Sequence, residues 1–175
     1  MRSTCKVGLS ENTIQNIIVS AQEIHRTFGE TLRRDMELCV LLQKLSEKIE
    51  STKEAMLSTG IVRECADCAK NGEGTCCSAR TASKCSSILI LINLLLGITP
   101  VTQTSAPDLC ALLTEKGCSL GARPVICVNF TCPRLRENIP HEEIIRVQEI
   151  AGEELDALFI VEEYIKKKTA AAIER

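Results

Sequence analysis

The sequence predicts a mainly α protein: a helical bundle built from the N- and C-terminal helices and holding an irregular, cysteine-rich metal-binding middle. Three observations carry this. Apolar residues recur at spacings of three and four in both terminal parts of the chain, the period of a helix with one buried face. The core must be aliphatic, because the 175 residues include three Phe, one Tyr and no Trp. Nine of the eleven cysteines lie between Ile61 and Arg136, a stretch with little uninterrupted periodicity. The expected divisions are an N-terminal helical segment (1–60), a cysteine-cluster region (61–136) and a C-terminal helix (137–175), folding together as one domain of ordinary size.

The N-terminal segment carries Ile14, Ile17, Ile18, Ala21, Ile24 and Phe28 as a single stripe, with Ser10 as the expected N-cap. The stripe resumes with Leu32, Met36, Cys39, Leu42, Leu45 and Ile49, and Gly29 is the expected kink or break, since glycine weakens a helix interior. Gly60 is expected to end this helix. Within the middle, Ser86 to Leu96 is a short buried helix or strand, Thr99 to Pro107 a loop, and Asp108 the cap of a helical turn or two through Leu113. The last helix opens at Pro140, with Glu142 and Glu143 near the positive end of its dipole.

Composition excludes several functions. With 21 basic and 23 acidic side chains the net charge is -2, so no field draws in nucleic acid or an anionic membrane. Aromatic platforms for stacking bases are also missing. The most apolar run, Ile88 to Ile98, is short of the roughly 20 residues that span a bilayer, and the opening residues lack the apolar core of a signal peptide. A cytoplasmic protein is expected. In a reducing compartment clustered cysteines point to metal or redox chemistry rather than structural disulfides, and an odd total of eleven prevents complete pairing.

The stretch "ECADCAKNGEGTCC" holds Cys65, Cys68, Cys76 and Cys77. Two intervening residues let Cys65 and Cys68 aim at one centre. Gly72 and Gly74 are expected to turn the chain and present N–H groups to thiolate sulfur. Adjacent Cys76 and Cys77 suit a multi-iron cluster or two separate sites better than one tetrahedral ion, because neighbouring side chains diverge. A second constellation follows: Cys110, Cys118, Cys127 and Cys132, with Gly117, Gly121, Arg123 and Pro124 among them. Eight thiols suffice for two four-thiolate sites or for one cluster with thiols to spare.

These two stretches together resemble the YkgJ-type cysteine-cluster family, known by a CxxCxxCC signature and described as a zinc- or iron-chelating domain. The resemblance spans roughly residues 65–132, and its more specific part is Cys118, Arg123, Pro124, Cys127 and Phe130. It implies metal binding through Cys65, Cys68, Cys76, Cys77, Cys118 and Cys127, extended to Cys110 and Cys132. Seven residues separate Cys68 from Cys76 where the compact signature has two.

The expected cofactor is an iron–sulfur cluster, [4Fe–4S] in type, or zinc, with the cluster favoured because a cubane tolerates vicinal ligands. Cys39 is read as a small buried hydrophobe on the stripe, Cys5 as a terminal thiol, and Cys85 as lying outside both groups with an extra-ligand role left open. His25 and His141 are read as ordinary boundary histidines, so no Ser-His-Asp or Cys-His set can be assembled. The adjacent acids Glu153–Glu154 and Glu162–Glu163 are read as a solvated face. The function expected is a metal-binding module, structural or redox, with no catalytic residues assigned. A thiol-based redox sensor, or a cluster-dependent enzyme or electron carrier, is the alternative. The aliphatic helices are expected to meet a protein partner or a second copy, with neither nucleic acid nor membrane involved.

Overall fold

A computed structural model describes residues 13–71, 76–102, 108–114 and 117–173. Helix α1 (Ile14–Arg33) starts at Thr13, whose Oγ1 accepts from the Asn16 N–H at 3.4 Å. Thr13 is thus the cap, and Ser10, the expected one, lies outside the described residues. Helix α1 runs straight through Gly29, so the expected kink there is corrected. The break falls at Arg34–Asp35, where the Asp35 carboxylate accepts from the Leu38 N–H at 3.1 Å and opens helix α2 (Met36–Ser58). A capping carboxylate fixes a new helix start more strongly than one glycine unsettles an existing helix.

Asp35 also joins the two ends of the chain. Lys168 Nζ lies 2.7 Å from it, and the Tyr164 hydroxyl donates to it at 2.9 Å, both from the long final helix α7 (His141–Ile173). The Lys168 contact, then the Leu38 N–H, hold its carboxyl down to about 2. A folded-state value below the ordinary 3.9 means that this contribution is complete above pH 4 and disappears as pH falls from about 4 to about 2. Asp35→Ala is therefore expected to cost about 1 to 2 kcal/mol at neutral pH. Urea unfolding at pH 7 and pH 2.5 checks it, and an equal loss at both would contradict it.

Gly60, at φ +82°, takes the left-handed conformation just after the end of α2, as expected for a helix-terminating glycine. Helix α2 packs along α7, with Leu38 and Leu45 buried from one side and Leu158, Val161 and Ile165 from the other. Helix α1 packs on α4 (Ser87–Leu95), which resolves the ambiguous apolar run as a helix. Five consecutive α4 residues, Leu89 to Asn93, are buried, as befits a helix that is apolar all round. Its cap is Ser86, whose Oγ accepts from the Leu89 N–H at 3.0 Å.

The middle of the chain is more regular than expected. It holds helix α3 (Ile61–Asn71), a 3-10 turn (Ala79–Lys84), a two-stranded hairpin of β1 (Leu113–Thr114) and β2 (Gly117–Cys118), and the short helices α5 (Val125–Asn129) and α6 (Pro133–Asn138). Asp108 caps no helix. Its carbonyl oxygen accepts from the Ala79 N–H at 3.0 Å, and Leu109 bridges Ser78, so pairing across the chain replaces the expected helical turn. Among the described residues no helix is long and apolar enough to cross a membrane.

Candidate metal centre

The helices place the thiols before any ion is considered. Cys65 and Cys68 lie one turn apart on the same side of α3, the i, i+3 relation that makes helical side chains neighbours. Helix α3 meets α6 through Glu64, whose carboxylate accepts from Arg134 and from Asn138 Nδ2, both at 3.0 Å. Cys132 is the residue that precedes α6. This side of the site thus gathers Cys65, Cys68 and Cys132. The exposed Cys76 lies within reach of both sides, because its charge acts on Cys65 and also on Cys127.

The other side is built on the chain crossing at 77–79 and 108–110. The Cys110 N–H donates to the Cys77 carbonyl oxygen at 2.8 Å. Leu113 then donates to the Cys110 carbonyl oxygen at 2.9 Å and faces Cys118 across the hairpin. Cys127 stands in the first turn of α5.

What positions Cys127 is Asn93, fully buried on α4. Its Nδ2 donates to the carbonyl oxygens of Leu89 and Ala122, both at 2.9 Å. Its Oδ1 accepts from the N–H groups of Gly121 and Ala122 at 2.8 and 3.1 Å. One side chain therefore ties the strand of chain entering Arg123 and Cys127 to the core. A lone Asn inside an apolar run leaves no periodic signal, and the sequence reading passed over it.

The thiols differ in electrostatic character. Burial pushes Cys65 up to about 11, with the other thiols adding to the rise and Arg123 opposing it, even though the residue as a whole is exposed. Burial likewise pushes Cys127 up to about 12, again against Arg123. Within the vicinal pair one thiol serves the other. The Cys77 S–H donates to Cys76 and, with backbone N–H groups, lowers Cys76 to about 6, while Cys77 itself is raised. The Arg123 charge thus acts on a thiol from each side, Cys65 and Cys127.

The donor chemistry fits a thiophilic metal: sulfur ligands, a neighbouring cation to offset excess thiolate charge, and short helices and turns to carry them. Among the described residues, however, no three His, Cys, Asp or Glu side chains already converge as closely as one ion requires. Gly72 and Gly74, expected to face the thiolates, and Cys5 lie outside the described residues, as does the loop over 103–107.

Two expectations, on Cys39 and Glu154, are corrected. Cys39 is exposed, with its thiol donating to the Arg33 carbonyl oxygen at 3.2 Å; α2 turns Leu38 inward instead, one position round the helix. Cys85, whose role the sequence leaves open, is buried, and the charges of Cys127, Cys110 and Cys118 act on it. Glu154 is no solvated acid. Glu153 is exposed and pairs with Lys48, whereas Glu154 is fully buried with no hydrogen-bond partner for either carboxyl oxygen. Thr52 lies beside it but donates to the Lys48 carbonyl oxygen at 3.1 Å.

Burial raises the Glu154 carboxyl, with Thr52 and Arg123 opposing the rise. A raised folded-state value costs stability as pH climbs through the carboxylate range, because the unfolded chain ionises first. Glu154→Gln is thus expected to stabilise the protein by about 1 to 2 kcal/mol at pH 7 and to have no effect near pH 4. Denaturation at the two pH values tests this, and destabilisation at pH 7 would show that attraction to Arg123 outweighs burial. His25 contacts Arg33 at 2.8 Å on α1, and His141 is exposed at the start of α7.

No protein-family model matches the chain, and comparison with the curated proteins and with the solved structures likewise returns no match.

Proposed function

We propose that the protein binds a thiophilic metal, as zinc or an iron–sulfur cluster, through the cysteines gathered between α3, the hairpin and α5–α6. The observation that carries this reading is the assembly of Cys65, Cys68, Cys76, Cys77, Cys110, Cys118, Cys127 and Cys132, spread over 68 residues, into one region where their charges act on one another. Packing so many thiols together opposes their ionisation. A bound cation reverses that penalty, because thiolates rather than thiols are its ligands. The resemblance to the YkgJ-type family supports the same reading. On this view the metal organises the middle of the chain, and the exposed apolar residues Met36, Val40 and Phe159 are where a protein partner or second copy would meet the helices.

The test is titration of the reduced, metal-free protein with cobalt(II) under anaerobic conditions. Intense thiolate-to-cobalt charge-transfer absorption, removed by zinc, is the expected result. Saturation with only the weak absorption of oxygen-bound cobalt would overturn the proposal.

One observation favours a second reading, a thiol redox sensor. Cys76 is exposed and lowered to about 6, so in the metal-free protein it is largely thiolate at neutral pH, the state that reacts with oxidants and alkylating agents. Its alkylation rate is expected to rise through about pH 6 and level off by pH 7. Mass spectrometry after peroxide treatment decides the reading, which fails if every thiol remains reduced.

A further inference from the structure

Glu64 is bonded across the fold rather than along its own helix. Its side chain is 12% exposed, and one carboxylate oxygen, Oε2, accepts from Arg134 Nε and from Asn138 Nδ2, both at 3.0 Å. The two donors lie 70 and 74 residues further along the chain and one turn apart on α6. One atom therefore grips a face of that helix. Arg26–Glu23 and Arg146–Glu143, by contrast, join exposed neighbours within one helix, the kind of pair that contributes little. A sheltered, charge-assisted contact between two helices is stronger and more directional.

The helices joined in this way carry thiols. Cys65 follows Glu64 directly, and Cys68 stands one turn on, at i+4, on the same face. Cys132 lies two residues before Arg134 and packs against the apolar cluster that holds Ile61 of α3 and Leu135 of α6. The Glu64 hydrogen bond raises the Arg134 guanidinium, and the charges of Cys68 and Asp67 add to the rise, which fits a place beside the Cys68 thiol. We propose that Glu64 is a positioning residue of the thiol site: by gripping Arg134 and Asn138 it docks α3 on α6 in the metal-free chain and sets Cys65 and Cys68 against Cys132. The proposal rests on the metal-binding reading above for the role of these thiols as ligands, while the docking itself needs no metal. A metal then stabilises an arrangement of helices that the chain already holds.

The experiment uses the full chain, reduced, metal-free and anaerobic. It is treated with a short bis-maleimide, and the joined cysteines are identified by mass spectrometry. Cross-links from Cys65 or Cys68 to Cys132 are expected in the wild type and should be mostly lost in Glu64→Ala and in Arg134→Ala. Cobalt(II) titration of the same variants should show affinity weakened by about tenfold or more, the usual effect of removing a group that orients a ligand. Glu64→Gln keeps an acceptor oxygen and should restore most of both. The double variant should lose no more than either single one, because the two residues share one contact. Glu153→Ala removes the exposed pairing with Lys48 and should change neither measurement. Circular dichroism of the metal-free variants checks folding, and Arg134→Ala, at a half-exposed residue, carries the test should Glu64→Ala not fold. Absence of these cross-links from the wild type, unchanged cross-linking or cobalt affinity in the folded variants, or an equal loss in Glu153→Ala would overturn the proposal. A wild type that binds no cobalt through sulfur would instead overturn the metal-binding reading, and the cross-linking would still decide the docking.

Discussion

Asn93→Ala is expected to destabilise the protein by about 3 kcal/mol or more. The substitution removes four hydrogen bonds made in a fully buried position. It strands the N–H and the carbonyl oxygen of Ala122 away from water and leaves the half-buried Gly121 N–H without its partner. Each buried group left without a partner costs about 1 to 3 kcal/mol, whereas a made hydrogen bond contributes only about 1. Asn93→Leu should do no better, since an apolar side chain leaves the same backbone groups unpaired. Urea denaturation gives the magnitude. Hydrogen exchange gives the location, with the amides of Gly121 and Ala122 losing protection before those of α2. A loss below about 1 kcal/mol would mean that water or a backbone shift replaces the Asn93 contacts.

The second large effect is expected from the metal. If it organises the middle of the chain, its binding free energy is also folding free energy. A site filled at a thousand times its Kd stabilises the folded state by about 4 kcal/mol. Removing the ion with a chelator should therefore lower the melting temperature and expose α3, the hairpin, α5 and α6 to hydrogen exchange. Helices α1, α2, α4 and α7 should remain protected, because they bury an aliphatic core in which Leu38, Leu45, Ile90, Val161 and Ile165 are sealed. Complete removal of metal with unchanged circular dichroism and melting would contradict a structural role.

The parts of the fold that were legible in the sequence are those set by local periodicity. The stripe from Ile14 to Phe28 is α1, and the acids after Pro140 open α7. The break between α1 and α2 was misplaced at Gly29 because propensity is a weak influence beside a cap that is also bonded from α7, and that second bond is invisible locally. The apolar run at 88–98 became a helix through its Ser86 cap and its burial among α1, α7 and the hairpin region, which no short pattern reveals.

The cysteines show the same division. Their spacing marks two thiol-rich stretches of the sequence. How they group depends on the crossing of 77–79 with 108–110 and on the anchor from Asn93, contacts between distant stretches of chain. Glu154 was misjudged for a related reason: it looks ordinary among its sequence neighbours, and only tertiary packing buries it.

The central claim is that this assembly of thiols holds a metal. Its most direct test is metal and acid-labile sulfide analysis of the protein purified without oxygen, combined with its absorption spectrum. The expected result is stoichiometric zinc in a colourless protein, or iron with matching sulfide in a brown one whose charge-transfer bands bleach on reduction. A protein that carries neither metal after anaerobic reconstitution, with its thiols still reduced, would contradict the account.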